Sequence, residues 1–117
     1  MANYNELGQI AAAAAVDKKS SRITLMDVHG LTDMCDIVLI CSAENEKQSA
    51  AIADAIEDHC KKAAGVKPYV VEGKQVGNWI LMDYGSLIVH IFLAAARDYY
   101  ALDSLWPLAK TIPVKSS

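Results

Sequence analysis

The chain has 117 residues, of which 53% are hydrophobic and 21% are charged, and its net charge is −3. A chain of this length buries about two-thirds of the surface of its unfolded form, so these values exclude a disordered segment and leave no room for a second domain. The lysines are scattered singly or in pairs, with no basic cluster interleaved with aromatic residues. Little direct contact with nucleic acid is therefore expected.

The cysteines and the N-terminal region indicate the cellular compartment of the protein. Cys35, Cys41 and Cys60 are odd in number, and no pair has the Cys-x-x-Cys spacing. Neither a disulfide framework nor a zinc site is predicted, and a reducing compartment follows. The N-terminus lacks a basic region and a long apolar run, and the alanine tract 11–15 is too short to span a bilayer. We expect a cytoplasmic protein without a membrane segment.

The first third of the chain predicts a helix and two strands. Asn3 opens a capping box, and apolar residues then recur at helical spacing over Tyr4–Lys18. Ile23–Asp27 alternates like a strand, and Val28–Asp36 is a loop rich in turn residues. Ile37–Cys41 is an unbroken apolar run, which is typical of a buried central strand.

A long helix and a third strand follow. Asn45 can cap a helix that runs through Ala64, and Gly65 supplies the left-handed residue that ends it. Pro68–Glu72 then predicts a strand, and residues 73–77 predict a loop.

The next segment is typical of a β-hairpin, with strands Asn78–Asp83 and Leu87–Phe92. If Asp83–Ser86 forms the turn, Trp79 lies directly opposite His90, and both side chains leave the sheet on the same face. An amphipathic pair in that position suggests contact with a partner.

Both faces of this hairpin are apolar. One carries Trp79, Leu81, Ile88 and His90, and the other carries Ile80, Met82, Leu87 and Val89. The all-aliphatic face suits the core, whereas Trp and His bury apolar area and still form hydrogen bonds at a rim, which suits a partner. The alternative is that helices cover both faces, as in many α/β sheets.

Together these elements predict an α/β fold. Residues 1–117 form a single domain with a mixed sheet of roughly five strands, flanked by helical segments at both ends. The last helix is expected to be short because Pro107 follows Trp106. Residues from about Lys110 onward are expected to form a loose tail.

Several segments carry a resemblance to one protein family. They are Met26–Asp36, Ile37–Ser42, Lys47–Gln48, Ala51–Asp54, Val71–Gly73, Trp79–Phe92, Arg97–Leu102 and Leu105–Trp106. In order and spacing, from about Ile23 to Trp106, this set resembles the ribosomal silencing factor family, also called Iojap/RsfS. The resemblance implies a nucleotidyltransferase-like fold without the catalytic motif. It also implies binding to the large ribosomal subunit through ribosomal protein fourteen, which blocks subunit joining and represses translation when nutrients are scarce.

The resemblance and the hairpin face together give a predicted contact surface. Its residues are Trp79, Leu81, Asp83, Tyr84 and His90. An acidic chain can bind a basic ribosomal protein, because complementary charge speeds the encounter. An alternative use of the same face is a homodimer that binds no ribosome.

A fold related to nucleotidyltransferases raises the question of catalysis. That chemistry needs a Gly-Ser turn and paired carboxylates that hold magnesium against a triphosphate. Cys41–Asn45 stands where the turn would be, and no paired carboxylates follow at the required spacing. We therefore predict no enzyme activity and no cofactor. The alternative is residual nucleotide binding or transfer through Ser42, Glu44 and a nearby Asp with magnesium.

One loop contains residue types that could imitate a metal site. These are Asp27, His29, Asp33 and Asp36. Asp residues in a turn-rich loop more often cap and turn the backbone than bind metal. No metal site is predicted there.

Overall fold

Nine helices and strands follow one another in residues 4–100 and 108–114, the parts of the chain that this computed structural model describes. In chain order they are α1 (Tyr4–Asp17), β1 (Ser21–Asp27), β2 (Ile37–Ala43), α2 (Glu46–Ala64), β3 (Val70–Glu72), β4 (Trp79–Asp83), β5 (Leu87–Leu93), α3 (Ala94–Tyr100) and β6 (Lys110–Ile112). The expected end of the last helix near Trp106 lies outside the described residues.

The strands form one six-stranded sheet in the order β3-β4-β5-β2-β1-β6. β2 and β5 run parallel, and the other neighbouring strands are antiparallel. Every residue of β2 is buried, which confirms the apolar run Ile37–Cys41 as a central strand. The α/β class and the mixed sheet are confirmed, with six strands in place of about five.

Helices α1 and α2 pack against each other and cover one face of the sheet. The Asn45 side chain caps α2 by accepting a backbone N–H of the first turn at 2.8 Å, and Gly65 ends the helix with a φ of 69°. Helix α1 can approach the sheet closely because Gly8 has no side chain. A Cβ there would lie 3.1 Å from the side chains of Leu25 and Ile37. No described helix is long and apolar enough to cross a membrane.

The opposite side of the sheet, the second face, has its own apolar cluster. It carries Met26, Val38, Ile40, Trp79, Leu81, Ile88, His90 and Phe92. Helix α3 packs on β5 and β2 and covers one end of this face, where Ala96 contacts the cluster. The predicted alternation of the hairpin is confirmed, because Ile80, Met82, Leu87 and Val89 lie in the core under α1 and α2.

The pairing of the hairpin strands differs from the predicted pairing by two residues. Trp79 pairs with Phe92 rather than with His90, and Leu81 pairs with His90. Because side chains alternate with a period of two, a shift of two residues leaves every side chain on its predicted face. Trp79 and His90 are therefore diagonal neighbours on the second face.

The position of the hairpin turn explains this difference in pairing. The turn lies one residue later than predicted, with the Tyr84 N–H donating to the Leu87 carbonyl at 2.8 Å. Gly85, with a φ of 86°, becomes the first central residue. The predicted turn would have placed Tyr84 at that position, where a left-handed conformation favours glycine.

The prediction of a loose tail from about Lys110 is wrong for its first three residues. Lys110–Ile112 forms β6, an edge strand antiparallel to β1, with Ile112 opposite Leu25. The Gln9 side chain of α1 also donates to the Pro113 carbonyl at 2.8 Å. Three residues are too few to show a strand pattern, so pairing with β1 rather than local propensity stabilises this strand.

Candidate partner-binding surface

Trp79 belongs to an aromatic cluster on the second face. Its indole N–H donates to Nδ1 of His90 at 3.2 Å. The ring centroid of Phe92 lies 4.9 Å from that of Trp79, and His90 stacks on Phe92 with 6.1 Å between centroids and 11° between planes. Trp79 is half-buried, whereas Phe92 is fully buried. The indole therefore rests on the sheet and keeps part of its surface accessible.

His90 lies deeper in the cluster than Trp79, with 8% of its surface exposed. Burial lowers the pKa of the imidazole from 6.5 to about 4, so the ring is neutral near pH 7. Because Nδ1 accepts the indole N–H of Trp79, the single ring proton resides on Nε2. His90 has little surface of its own to offer a partner.

The structure brings four of the five predicted contact residues to one face and separates the fifth. Trp79, Leu81 and Asp83 are half-buried along β4, and His90 lies beside Leu81 on β5. Tyr84 is 6% exposed and packs in the core under α1 and α2. The strand alternation accounts for this, since the residue after Asp83 points to the opposite side.

The surroundings of Tyr84 are those of a core residue. Burial raises the pKa of its phenol, and the hydroxyl lies beside the Cys60 thiol. Within the described residues that hydroxyl makes no hydrogen bond of normal geometry. Its position gives no support to the prediction that Tyr84 contacts a partner.

The Leu81 side of the second face borders an acidic end. Burial raises the pKa of the Cys35 thiol to about 11, and the charges of Asp36 and Asp83 add to this rise. Both carboxylates therefore lie near Cys35. The Asp36 N–H donates to the Ser86 carbonyl at 2.9 Å, which joins the loop before β2 to the hairpin turn. The half-buried apolar residues thus border two carboxylates, those of Asp83 and of Asp36, the second of which is paired with His29.

The loop considered as a metal site is held by its own hydrogen bonds. The Asp27 carboxylate accepts the His29 backbone N–H at 3.0 Å, and the Asp36 carboxylate lies 2.5 Å from Nδ1 of the His29 ring. The hydrogen bond with Asp36 raises the pKa of His29. Among the described residues, no group of three or more His, Cys, Asp and Glu side chains is placed to hold a metal ion.

Arg97 is a buried residue whose position the sequence did not predict. Its guanidinium donates to the Ser42 hydroxyl at 3.1 Å, to the Thr24 hydroxyl at 3.0 Å and to the Arg22 carbonyl. Ser42, the candidate ligand of the enzyme alternative, is fully buried beneath it, whereas Glu44 is exposed. A single arginine after a strand carries no pattern that would reveal such burial.

A fixed loop leads into Trp79. The Ser49 hydroxyl of α2 contacts the Gly77 carbonyl at 2.7 Å and the Glu46 carbonyl at 2.9 Å. Gly77 has a φ of 87°, and a Cβ there would lie 2.8 Å from Cβ of Glu46. Such close packing of the loop on α2 fixes where β4 begins, and with it the backbone of Trp79.

The chain is similar to known proteins in both sequence and structure. A family described as ribosomal silencing factor during starvation matches residues 1–117. The chain is 37% identical over 110 residues to ribosomal silencing factor RsfS of Bacillus subtilis, covering 92% of each protein. It is 39% identical over 88 residues to the protein of that name in Haemophilus influenzae, covering 75% of this chain and 85% of the relative. A crystal structure of a Chromobacterium violaceum protein matches it with a TM-score of 0.87 at 31% identity, covering 91% of this chain and 88% of that chain.

Proposed function

Because this chain belongs to the ribosomal silencing factor family, we propose that it binds the large ribosomal subunit through ribosomal protein fourteen and prevents the small subunit from joining. Its role is to repress translation in the cytoplasm when nutrients are scarce. The observation that carries the proposal is the second face, where Trp79 and Leu81 are only half-buried, beside the acidic end formed by Asp36 and Asp83.

The chemistry of this surface fits a ribosomal protein. Trp79 and Leu81 supply a partly buried apolar centre, and tryptophan is enriched among the residues that contribute most to binding energy. Asp83 extends the surface toward its acidic end, and the chain as a whole carries a net charge of −3. A basic partner meets complementary charge here, which speeds association and orients the complex.

The proposed mechanism is occupancy and requires no chemical step. A standard protein interface buries about 1,600 Å² in total, which is enough for useful affinity. A bound domain on the joining surface of the large subunit then excludes the small subunit sterically. The contact residues are Trp79, Leu81 and Asp83, with His90 beneath them.

Sedimentation with separated ribosomal subunits tests this proposal. We expect the purified protein to pellet with large but not with small subunits, and to lower the yield of joined ribosomes in a reassociation assay. Equal binding to both subunits, or to neither, would contradict it. Trp79→Ala should weaken binding by about 2 kcal/mol or more, as truncation of a central interface residue does.

A matched pair of charge substitutions locates the surface. Leu81→Glu places a carboxylate in the proposed apolar centre and should abolish pelleting with large subunits. Val16→Glu introduces the same carboxylate on α1, which lies on the other side of the sheet. Val16 is 37% exposed there. Pelleting by Val16→Glu should equal that of the unmodified chain. If both variants lose binding equally, the second face is not the contact surface.

The enzyme alternative predicts a different result. Nucleotide-dependent chemistry through Ser42 requires its hydroxyl to reach a ligand, yet that hydroxyl accepts a hydrogen bond from Arg97 and the residue is fully buried. We expect no magnesium-dependent turnover of nucleoside triphosphates. Calorimetry that finds tight ATP or CTP binding, lost in Ser42→Ala, would overturn the non-enzymatic proposal.

The homodimer alternative uses the same second face without a ribosome. Analytical ultracentrifugation of the free chain measures its association. If Leu81→Glu dissociates a dimer and the unmodified chain never pellets with large subunits, the homodimer alternative holds. Pelleting of the unmodified chain with large subunits alone favours the ribosomal proposal.

A further inference from the structure

His90 and Trp79 are connected in a way that separates their roles. The indole N–H of Trp79 donates to Nδ1 of His90 at 3.2 Å, but only 8% of His90 is exposed. We propose that His90 is a positioning residue, which accepts the indole N–H and thereby fixes the orientation in which Trp79 meets a partner. The part of this inference that concerns binding rests on the proposed function, whereas the part that concerns orientation does not.

The packing around the imidazole shows why it can hold the indole. His90 stacks on Phe92, whose side chain is fully buried. Phe92 also packs against the Trp79 ring with 4.9 Å between centroids. An aromatic ring against one side of the indole limits its tilt, but a hydrogen bond to the N–H also selects which edge points into the sheet. A partner then meets a side chain that is already ordered, which lowers the entropy cost of binding.

The imidazole must keep Nδ1 unprotonated to accept this bond. Among the described side chains on the elements packed against His90, the titratable or charged groups are Asp83 on β4, Arg97 on α3 and Cys41 on β2. Asp83 accepts the backbone N–H of Gly85 at 2.7 Å, and Arg97 donates to other groups. The Cys41 side chain lies in the core on the opposite side of the sheet. Burial alone therefore sets the neutral state of His90.

Nuclear magnetic resonance of the free protein tests the orientation directly. The chain contains two tryptophans, so Trp106→Phe assigns the remaining indole N–H signal to Trp79. We expect the nitrogen spectrum to show His90 protonated on Nε2 only, and the Trp79 indole proton to exchange slowly with water. His90→Leu removes the acceptor and should speed that exchange by about tenfold or more, in line with the loss of one hydrogen bond.

A conservative variant provides the control. In His90→Asn the side-chain oxygen stands close to the place of Nδ1 and can accept the indole N–H, so slow exchange should return. A His90 ring protonated on Nδ1, or an indole exchange rate equal in the unmodified chain and His90→Leu, would overturn the positioning role. Because the nitrogen spectrum uses the unmodified protein, the test stands even if His90→Leu fails to fold.

A double-mutant cycle tests the consequence for binding. With Trp79 present, His90→Leu should weaken binding to large subunits by about threefold to tenfold, the range expected for one neutral hydrogen bond. In a Trp79→Phe background, which lacks the N–H, the same change should have no further effect. An equal loss in both backgrounds would mean that His90 contacts the partner itself and would overturn the inference. If Trp79→Ala leaves binding unchanged while the exchange experiment succeeds, the proposed surface fails and the orientation stands.

Discussion

Gly73 lies so close to the backbone of Trp79 that a Cβ on Gly73 would stand 2.0 Å from the Trp79 carbonyl oxygen. No rotation of a side chain can relieve that contact, because the oxygen belongs to the backbone of β4. Gly73 also has a φ of 83°. Two separate physical demands, space and conformation, therefore require glycine at the start of the loop that leads into the candidate surface.

We expect Gly73→Ala to destabilise the protein by about 2 kcal/mol or more, since it adds a backbone clash to the cost of about 1 to 2 kcal/mol for a left-handed non-glycine residue. Gly30→Ala is the control, because Gly30 has a φ of 82° and a Cβ there would meet nothing within 4 Å. That variant should lose only about 1 kcal/mol. Urea unfolding of both variants measures the difference, and equal losses would show that the close contact is not maintained in solution.

Adjacent residues of β4 should respond oppositely to the same substitution. Ile80 is fully buried under the helices, whereas Leu81 is half-buried on the second face. Ile80→Glu places an unpaired charge in the core and should unfold the domain, because such a group costs several kcal/mol. Leu81→Glu should keep a cooperative thermal transition. Circular dichroism melting curves distinguish the two variants. If both fail to fold, the second face is covered as fully as the face under α1 and α2.

Strand alternation made much of the candidate site predictable. The assignment of Trp79 and Leu81 to one face and Ile80 to the other depends only on the period of two, so it holds even though the predicted register was wrong by two residues. The turn position was missed because the predicted turn placed Tyr84 at the first central position, although Gly85-Ser86 is itself a signal for a two-residue hairpin turn. In the structure the residue at that position is Gly85.

Other features depend on contacts between distant segments, which a single sequence does not reveal. Strand β6 exists because Lys110–Ile112 pairs with β1, more than eighty residues earlier in the chain. Arg97 is buried because α3 folds back over Ser42 and Thr24. Likewise, the burial of His90 beside Trp79 follows from the pairing of β4 and β5, which leaves 8% of His90 exposed.

The Gln48 side chain links the start of α2 to the residues that follow α1. Its side-chain nitrogen donates to the carbonyls of Lys18 and Lys19 at 3.2 Å, and its oxygen accepts the Glu44 N–H at 2.7 Å. Gln48→Ala leaves these backbone groups without that partner and should lower the free energy of unfolding by about 1 to 2 kcal/mol. Lys47→Ala, at an exposed neighbouring position, should change it by less than about 0.5 kcal/mol. Denaturant titration checks both values, and equal effects would contradict the bridging role.

His90 and His29 should change the pH dependence of the free energy of unfolding in opposite directions. Burial depresses the pKa of His90 from 6.5 to about 4, so the folded state binds fewer protons than the unfolded state between these values. The contribution of neutral His90 to the free energy of unfolding is complete above pH 6.5. It is lost as the pH falls toward 4, by up to about 3 kcal/mol at 1.36 kcal/mol per pKa unit. His90→Asn should remove that part of the acid destabilisation, leaving the part due to carboxylates.

His29 provides the counterpart within the same molecule. Its hydrogen bond with Asp36, followed by the charge of Asp36, raises the pKa of His29 above 6.5. The folded state then binds more protons, so this contribution is present below pH 6.5 and is lost as the pH rises through the folded pKa. His29→Asn should therefore lose stability at pH 5.5 relative to the unmodified chain and lose less at pH 8. Urea titrations of the unmodified chain, His29→Asn and His90→Asn across pH 4.5 to 8 measure these slopes. If the two substitutions change the slope in the same direction, the electrostatic assignment of one histidine is wrong.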